Sequence, residues 1–424
     1  MEQTTHRNVI TDIKEITKMK MSVKMLLVLS LLTATAFVYA GSLEPSAAPG
    51  STMKTLDQVE ARTPIPGSDS AAGTFWINES GSYYLTANRL ASDMGIYVNA
   101  DDVTLDLNGF TLEGSDSSYG IYMYNRSNVK ICNGTVKNFF YGISEVSGSG
   151  SGHKVVNVSS IGNAEHGIYL LCQDCTVRDC YVYDNGYLAE SGVYGIFVSS
   201  NGQVLNNTLR DNGNAAAAGN SVTCIYANSN SIVSGNTIYD NGQQSEASVR
   251  GILVGSGSRV SNNTISGNGD SALDTFYGIY TYYGSDITGN TVNANGYHCE
   301  GDVYCIYTYE GNTIADNMVY SNATYGTGTY IYGIKASTGC KIVGNNCRSN
   351  GHSSDANVYG ISVGSGSSVI ANTVNYNGQL STGASRYGVY ASTYCVIDQN
   401  TIYNNGGTNL YASSTCQLGI NVAP

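Results

Sequence analysis

Between Gly195 and Asn405 one order of apolar and polar positions returns every 27 to 29 residues. Each copy opens mostly on Gly-Ile or Cys-Ile, with apolar residues one and three places further on, as in Ile196 and Val198 or Ile252 and Val254. That alternation predicts a half-buried strand. A second apolar position falls nine places after the opening residue, at Val204, Val233, Val260, Ile287, Ile314, Ile342, Val369, Ile397 and Leu418. A third falls at fourteen, at Leu209, Ile238, Ile265, Val292, Val319, Val374 and Ile402. Strands this short cannot bury an apolar side alone, so a fixed period of them predicts a stack in which every copy covers its neighbours. With the opening residue as anchor, thirteen anchors run Gly95, Gly120, Gly142, Gly167, Gly195, Cys224, Gly251, Gly278, Cys305, Gly333, Gly360, Gly388 and Asn409. The predicted fold is all-β, a single-stranded right-handed parallel β-helix of about 13 coils with an N-terminal cap, its hand following from that of parallel crossovers.

Two polar columns mark the corners. Asn207, Asn236, Asn263, Asn290, Asn317, Asn345, Asn372 and Asn400 stand twelve after an anchor, and Asn212, Asn241, Asn268, Asn295, Asn322, Asn350, Asn377 and Asn405 five later. Stacked amides can bond along a column at the strand spacing of roughly 4.8 Å, so these read as structural. Between each Asn-Gly and the next anchor lie seven to eleven variable residues leaving the coil at one corner. They predict a ridge, and the groove between ridge and first strand is the place to look for a ligand.

Composition narrows the class. The chain has 424 residues with 50 Gly, 5 Pro and 12% charged residues, which fits neither a helical nor a disordered protein. Its formal charge is -12. Bases are scattered, which argues against nucleic acid as a partner. An apolar run from Met25 to Val38 follows Lys18, Lys20 and Lys24 and closes on Val38-Tyr39-Ala40, the layout of a secretory signal in residues 1–40. At about 14 residues the run falls short of the roughly 20 that span a bilayer. The mature chain is therefore expected to be exported (extracellular, periplasmic or on the cell surface) and to have no transmembrane segment. Residues 41–74 read as a linker and the start of the cap, and 75–424 as the β-helix domain. Phe75-Trp76-Ile77 and Ser82-Tyr83-Tyr84-Leu85, around the turn Glu79-Ser80-Gly81, read as the cap strands.

The run Asp102-Val103-Thr104-Leu105-Asp106-Leu107-Asn108-Gly109-Phe110-Thr111-Leu112, the segment Gly81-Ser82-Tyr83-Tyr84-Leu85-Thr86 and the repeated Asn-Thr-Ile resemble secreted bacterial members of the pectate-lyase-like right-handed β-helix superfamily. The resemblance spans roughly residues 75–424. It implies the fold; for activity it implies only a range from lyases, hydrolases and epimerases to adhesins. The calcium-binding carboxylates and arginine base expected of pectate lyases are not found, nor the Gly-His-Gly and Arg-Ile-Lys motifs of polygalacturonases. Asp101-Asp102 is a lone pair, His153 lacks the second Gly, and Asn128-Val129-Lys130 has no Arg.

Three constellations remain. Asp184, Asp211 and Asp240 precede the second Asn column on successive coils, where stacked acids raise one another's pKa or recruit a hard cation such as calcium; Asp-Asn-Gly is also a good turn sequence. Two after the anchor stand Tyr97, Tyr122, Tyr169, Phe197, Tyr226, Tyr280, Tyr307, Tyr390 and Tyr411. Tyr282 and Tyr309 join Tyr280 and Tyr307 in a rectangle of about 4.8 Å by 6.7 Å, with Lys335 one rung on. Such rings stack on sugar faces, or simply pack across strands. Cys395 and Cys416 share a column on adjacent coils within disulfide reach, while Cys172 and Cys175 have a metal or redox spacing or form a local disulfide. The leading function is recognition of a polysaccharide or cell-surface glycan along the helix side. A polysaccharide lyase or glycosidase is the first alternative, and a structural surface or adhesion protein the second.

Overall fold

Every anchor opens a short strand, and each such strand lies in register on the one from the next coil, so that Ile225, Ile252, Ile279, Ile306, Ile334 and Ile361 form one file. All six are fully buried. The computed structural model describes Lys20 and residues 62–189, 192–214 and 220–424. The secretory-signal reading of residues 1–40 lies outside the described residues, apart from Lys20. The anchor strands form a 14-stranded parallel front sheet from Phe75–Ile77 to Thr408–Ala412, and the second and third strands of the coils a 27-stranded back sheet. Apolar residues from all three strand positions fill one continuous core between them. Among the described residues no helix is long and apolar enough to cross a membrane.

The front sheet has one strand more than the thirteen anchors. Phe75–Ile77, read as part of a cap, pairs in parallel with Ile96–Val98 and is itself a rung. Thr63–Ile65 pairs with Tyr83–Leu85, so the stack is entered inside the 41–74 segment. Trp76 does not close the end: it is 52% exposed against Tyr97 on the outer face. Arg89 points inward there instead, donating from Nη1 to the Pro66 carbonyl at 3.1 Å and from Nη2 to the Gly73 carbonyl at 2.6 Å, with its guanidinium 5.8 Å from the Phe75 ring. These two carbonyls offset part of the cost of burying the cation, the buried Nε having no partner, and burial lowers its pKa.

The anchor glycine is a packing requirement. A Cβ on Gly278 would sit 2.4 Å from the Cys305 carbonyl oxygen and 2.8 Å from the Val292 side chain. The strand is also irregular at this point: Tyr277 pairs with Tyr304 and Ile279 with Ile306, while Gly278 and Ile279 both face inward. Tyr277 and Tyr280 therefore share the outer face, although strict alternation would separate them.

Both asparagine columns are hydrogen-bonded files. Asn290 Nδ2 donates to Asn317 Oδ1 at 3.0 Å and to the Val260 carbonyl at 2.9 Å, and its backbone N–H reaches the same Asn317 oxygen at 2.9 Å. The second file begins earlier than expected, at Asn163 and Asn185, and the first ends on Asn421. The left-handed residue is the one before each ladder Asn, such as Asn206, Asn262, Asp211 and Asp240.

The ridge is a stacked ribbon. Ser271 N–H donates to the Gln243 carbonyl, His298 to Asp270, Tyr325 to Tyr297, Ser353 to Thr324 and Leu380 to His352, all at 2.8–2.9 Å. Ser245, Ala272, Cys299, Ser354 and Ser381 form a buried small-residue file of its own. Loops at this corner keep the coil period because they too must match their neighbours.

The proposed Cys395–Cys416 bridge is not present. Each thiol turns to a carbonyl of the coil below, Cys395 to Gly364 at 3.2 Å and Cys416 to Ser392 at 2.8 Å. The disulfide lies between Cys172 and Cys175, which settles that pair as a local staple.

Candidate functional site

The outer face of the front sheet carries two aromatic files. The expected one runs Tyr226, Leu253, Tyr280, Tyr307, Lys335, Ser362, Tyr390 and Tyr411 in direct pairing. Tyr280 and Tyr307 stack at 5.2 Å between centroids and 17° between planes, Tyr282 and Tyr309 at 5.7 Å and 1°. Across the rung, Tyr280–Tyr282 and Tyr307–Tyr309 meet edge to face at 5.3 Å and 5.6 Å. All four are half-buried. The structure brings these predicted residues together, and Lys335 with them: it pairs with Tyr307, its Nζ donates to Ser362 Oγ at 3.1 Å, and it lies 5.0 Å over the Tyr332 ring. Burial lowers the Lys335 pKa.

Sequence reasoning missed the second file. Tyr277, Tyr304, Tyr332, Tyr359 and Tyr387 stack without a break at 5.1, 5.2, 4.8 and 5.4 Å, with interplanar angles of 25° or less. The signal was a Tyr directly before the anchor in five successive copies, but period-two alternation assigns that position to the core. Parallel rings at these separations are offset-stacked, so each covers part of its neighbour's face. What meets the solvent is a palisade of ring edges and hydroxyls rather than open ring planes.

The phenols stay neutral. Burial, then the bond to Tyr309, holds Tyr280 well above the usual range, and burial pushes Tyr307 up to about 12. Burial likewise raises Tyr277 and Tyr304. Each hydroxyl thus remains both donor and acceptor. Carboxylates flank this side of the sheet: Tyr304 OH donates to Asp302 Oδ2 at 3.4 Å, and Asp274 accepts from Ser248 Oγ and Thr275.

The acidic column belongs elsewhere. Asp184, Asp211 and Asp240 hold left-handed turns at φ 57°, 55° and 55°. Asp211 and Asp240 line a groove of about 540 Å³ together with Gln243, Asp270 and Tyr297, on the flank of the ridge away from the front sheet. None of the residues lining this groove belongs to a front strand. Asp211 is engaged by Arg210 Nη1 and by Asn214 Nδ2. Burial first and Asp211 second raise the pKa of both Asp184 and Asp240. Among the described residues no group of three or more His, Cys, Asp or Glu is placed to hold a metal ion, and Asp240 accepts from Gln243 Nε2 at 3.5 Å.

Residues 73–228 match the family model described as right handed beta helix region. No curated protein matches the sequence. Solved structures similar to the chain include the A-module of Azotobacter vinelandii mannuronan C-5 epimerase AlgE4, at 14% identity over 80% of this chain and 89% of that one, with a TM-score of 0.47. The A-module of AlgE6 from the same organism is similar at 15% identity over 81% and 91%, with a TM-score of 0.44. The Dettilon tailspike protein is similar at 14% identity over 80% and 62%, with a TM-score of 0.40.

Proposed function

We propose that this pectate-lyase-like right-handed β-helix protein recognises a polysaccharide along the outer face of its front sheet, at Tyr280, Tyr282, Tyr307, Tyr309 and Lys335. One observation carries the reading: five stacked rungs place neutral phenols side by side in register on an otherwise flat sheet face. A globular core needs no such row on its solvent side. The test is glycan-array binding and affinity electrophoresis of the wild type against a Tyr280→Ala/Tyr307→Ala double variant. Binding that is unchanged in a folded double variant removes this face from the function.

A second reading, a lyase or glycosidase, is favoured by the groove at Asp211 and Asp240, where burial first and Asp211 second raise the Asp240 carboxyl, which suits an acid or base. Glycan cleavage that disappears in Asp240→Asn supports it. Cleavage that persists in that variant places the chemistry elsewhere.

A further inference from the structure

We infer that the ligand of the tyrosine face is a neutral, extended, β-1,4-linked pyranose polymer lying parallel to the helix axis with about one sugar per rung; this rests on the polysaccharide reading above and names its substrate class. The argument begins with spacing. From Phe276–Thr281 through Val303–Thr308, Tyr330–Ala336 and Asn357–Val363 to Arg386–Ala391, five front strands pair in parallel and carry Tyr277, Tyr304, Tyr332, Tyr359 and Tyr387 in one file on the outer face. A row with this period presents the same group at each strand spacing, roughly 4.8 Å. An extended β-1,4-linked chain advances by nearly the same step per sugar and turns over at each one, so each rung meets one sugar and equivalent hydroxyls recur beside every second phenol. A coiled or branched glycan has no such match.

Charge then selects among extended chains. Among the described residues the only cation in either file from Tyr277 to Tyr411 is the Lys335 ammonium, which already donates to Ser362 and rests over Tyr332. Arg250, paired with Tyr277 one rung before the first of these strands, lies 5.8 Å from the Tyr277 ring and close to Asp274. On the ridge side Asp302 touches the Tyr304 hydroxyl, and the chain as a whole carries a formal charge of -12. A polyanion brought to this surface meets like charge with no set of cations to receive it. A neutral polymer meets a file of hydroxyls able to donate and accept in turn, and ring edges against which its C–H faces pack.

The experiment titrates the full chain with cello-oligosaccharides and xylo-oligosaccharides of increasing length, and with uronate oligosaccharides of matched length, by calorimetry. Affinity for the neutral series is expected to rise with length until the oligomer covers the five rungs and then to level off, with little dependence on salt. Tyr277→Phe with Tyr304→Phe keeps the stacked rings and deletes two hydroxyls, and is expected to weaken binding about tenfold at unchanged thermal stability. Binding of uronate oligomers with none of the neutral series overturns the substrate class and leaves polysaccharide recognition standing. Neutral binding without length dependence, or undiminished in the Phe pair, overturns the one-sugar-per-rung register. Failure of every glycan to bind overturns the inference together with the reading on which it rests.

Discussion

The asparagine files and the tyrosine files are built by one device, identical residues at one offset in successive coils, yet they meet opposite fates. Asn295 is fully buried, and its Nδ2 donates to the Ile265 carbonyl, the Asn293 carbonyl and Asn322 Oδ1. Tyr307 is half-buried on the outer face, and its ring stacks on Tyr280. Repetition alone therefore says nothing about role. A file whose polar atoms are all consumed inside the stack holds the fold, and a file with polar atoms left at the surface is available to a ligand.

The largest effect expected from breaking this comparison is Asn295→Ala. It removes the Nδ2 bonds to the Ile265 and Asn293 carbonyls and to Asn322 Oδ1, of which the last two keep backbone donors in Gly267 and residue 295 itself, and it also deprives Asn268, whose N–H and Nδ2 both donate to Asn295 Oδ1. At about 1–3 kcal/mol for each buried polar group left unsatisfied, the summed loss is several kcal/mol. Urea unfolding measures it, and a loss below about 1 kcal/mol means that water or a rearranged neighbour replaces the amide.

Two buried histidines sharpen the contrast through pH. His153 belongs to an inner corner, accepts from Val129 N–H at 3.1 Å through Nδ1, and is pushed down to about 4 by burial, against partial opposition from Glu145 and Asp101. His166 sits in the outer file, stacked on Tyr141 at 4.7 Å and set against Tyr194, and burial pushes it down to about 4 as well. In the unfolded chain each takes its proton near 6.5, so the unfolded state binds more protons between about 6.5 and 4. Their contribution is complete above that window and is lost as the pH falls through it, by about 3 kcal/mol apiece at most. His153→Asn retains an acceptor for Val129, as Asn312 does for Ser285 at 2.7 Å, and should flatten the acid slope. An unaltered slope assigns it to other groups.

Much of this was legible in the order of residues, because a solenoid writes its vertical contacts at a fixed separation. The buried Ile279 file, both amide columns and the Tyr280 group follow from offsets alone. What escaped did so for local reasons. The Tyr277 file was hidden by a strand irregularity at the anchor glycine, which no periodicity reveals. The ridge looked variable because its regularity lies in backbone bonds and small buried side chains rather than in repeated residue types. Arg89 stands at no repeated offset, and the fold turns it inward to the Pro66 and Gly73 carbonyls. Shared column position placed Cys395 beside Cys416, but left undecided whether two sulfurs bond or each takes a carbonyl.

The anchor glycine gives a smaller, local test of the same packing. Gly278→Ala must displace the Cys305 carbonyl or the Val292 side chain. Overpacking of that kind costs about 1–3 kcal/mol, and it should also disturb the paired outward placement of Tyr277 and Tyr280. Thermal unfolding gives the first quantity, and the near-ultraviolet circular dichroism of the tyrosines reports the second.

The smallest effect belongs to the outer file and is the most diagnostic. Tyr307→Ala removes stacking with Tyr280 at 5.2 Å and edge contacts with Tyr304 and Tyr309 at 5.2 and 5.6 Å. Aromatic pairs are each worth about 0.5–1.5 kcal/mol, and solvent on the outer side returns part of that, leaving a cost of about 1 kcal/mol. Tyr307→Phe keeps every ring contact and should cost nearly nothing in urea. If the file exists for the sheet, glycan binding and stability fall together across these two variants. If it exists for a ligand, the Phe variant separates them, because the hydroxyl contributes to binding while contributing almost nothing to the stack.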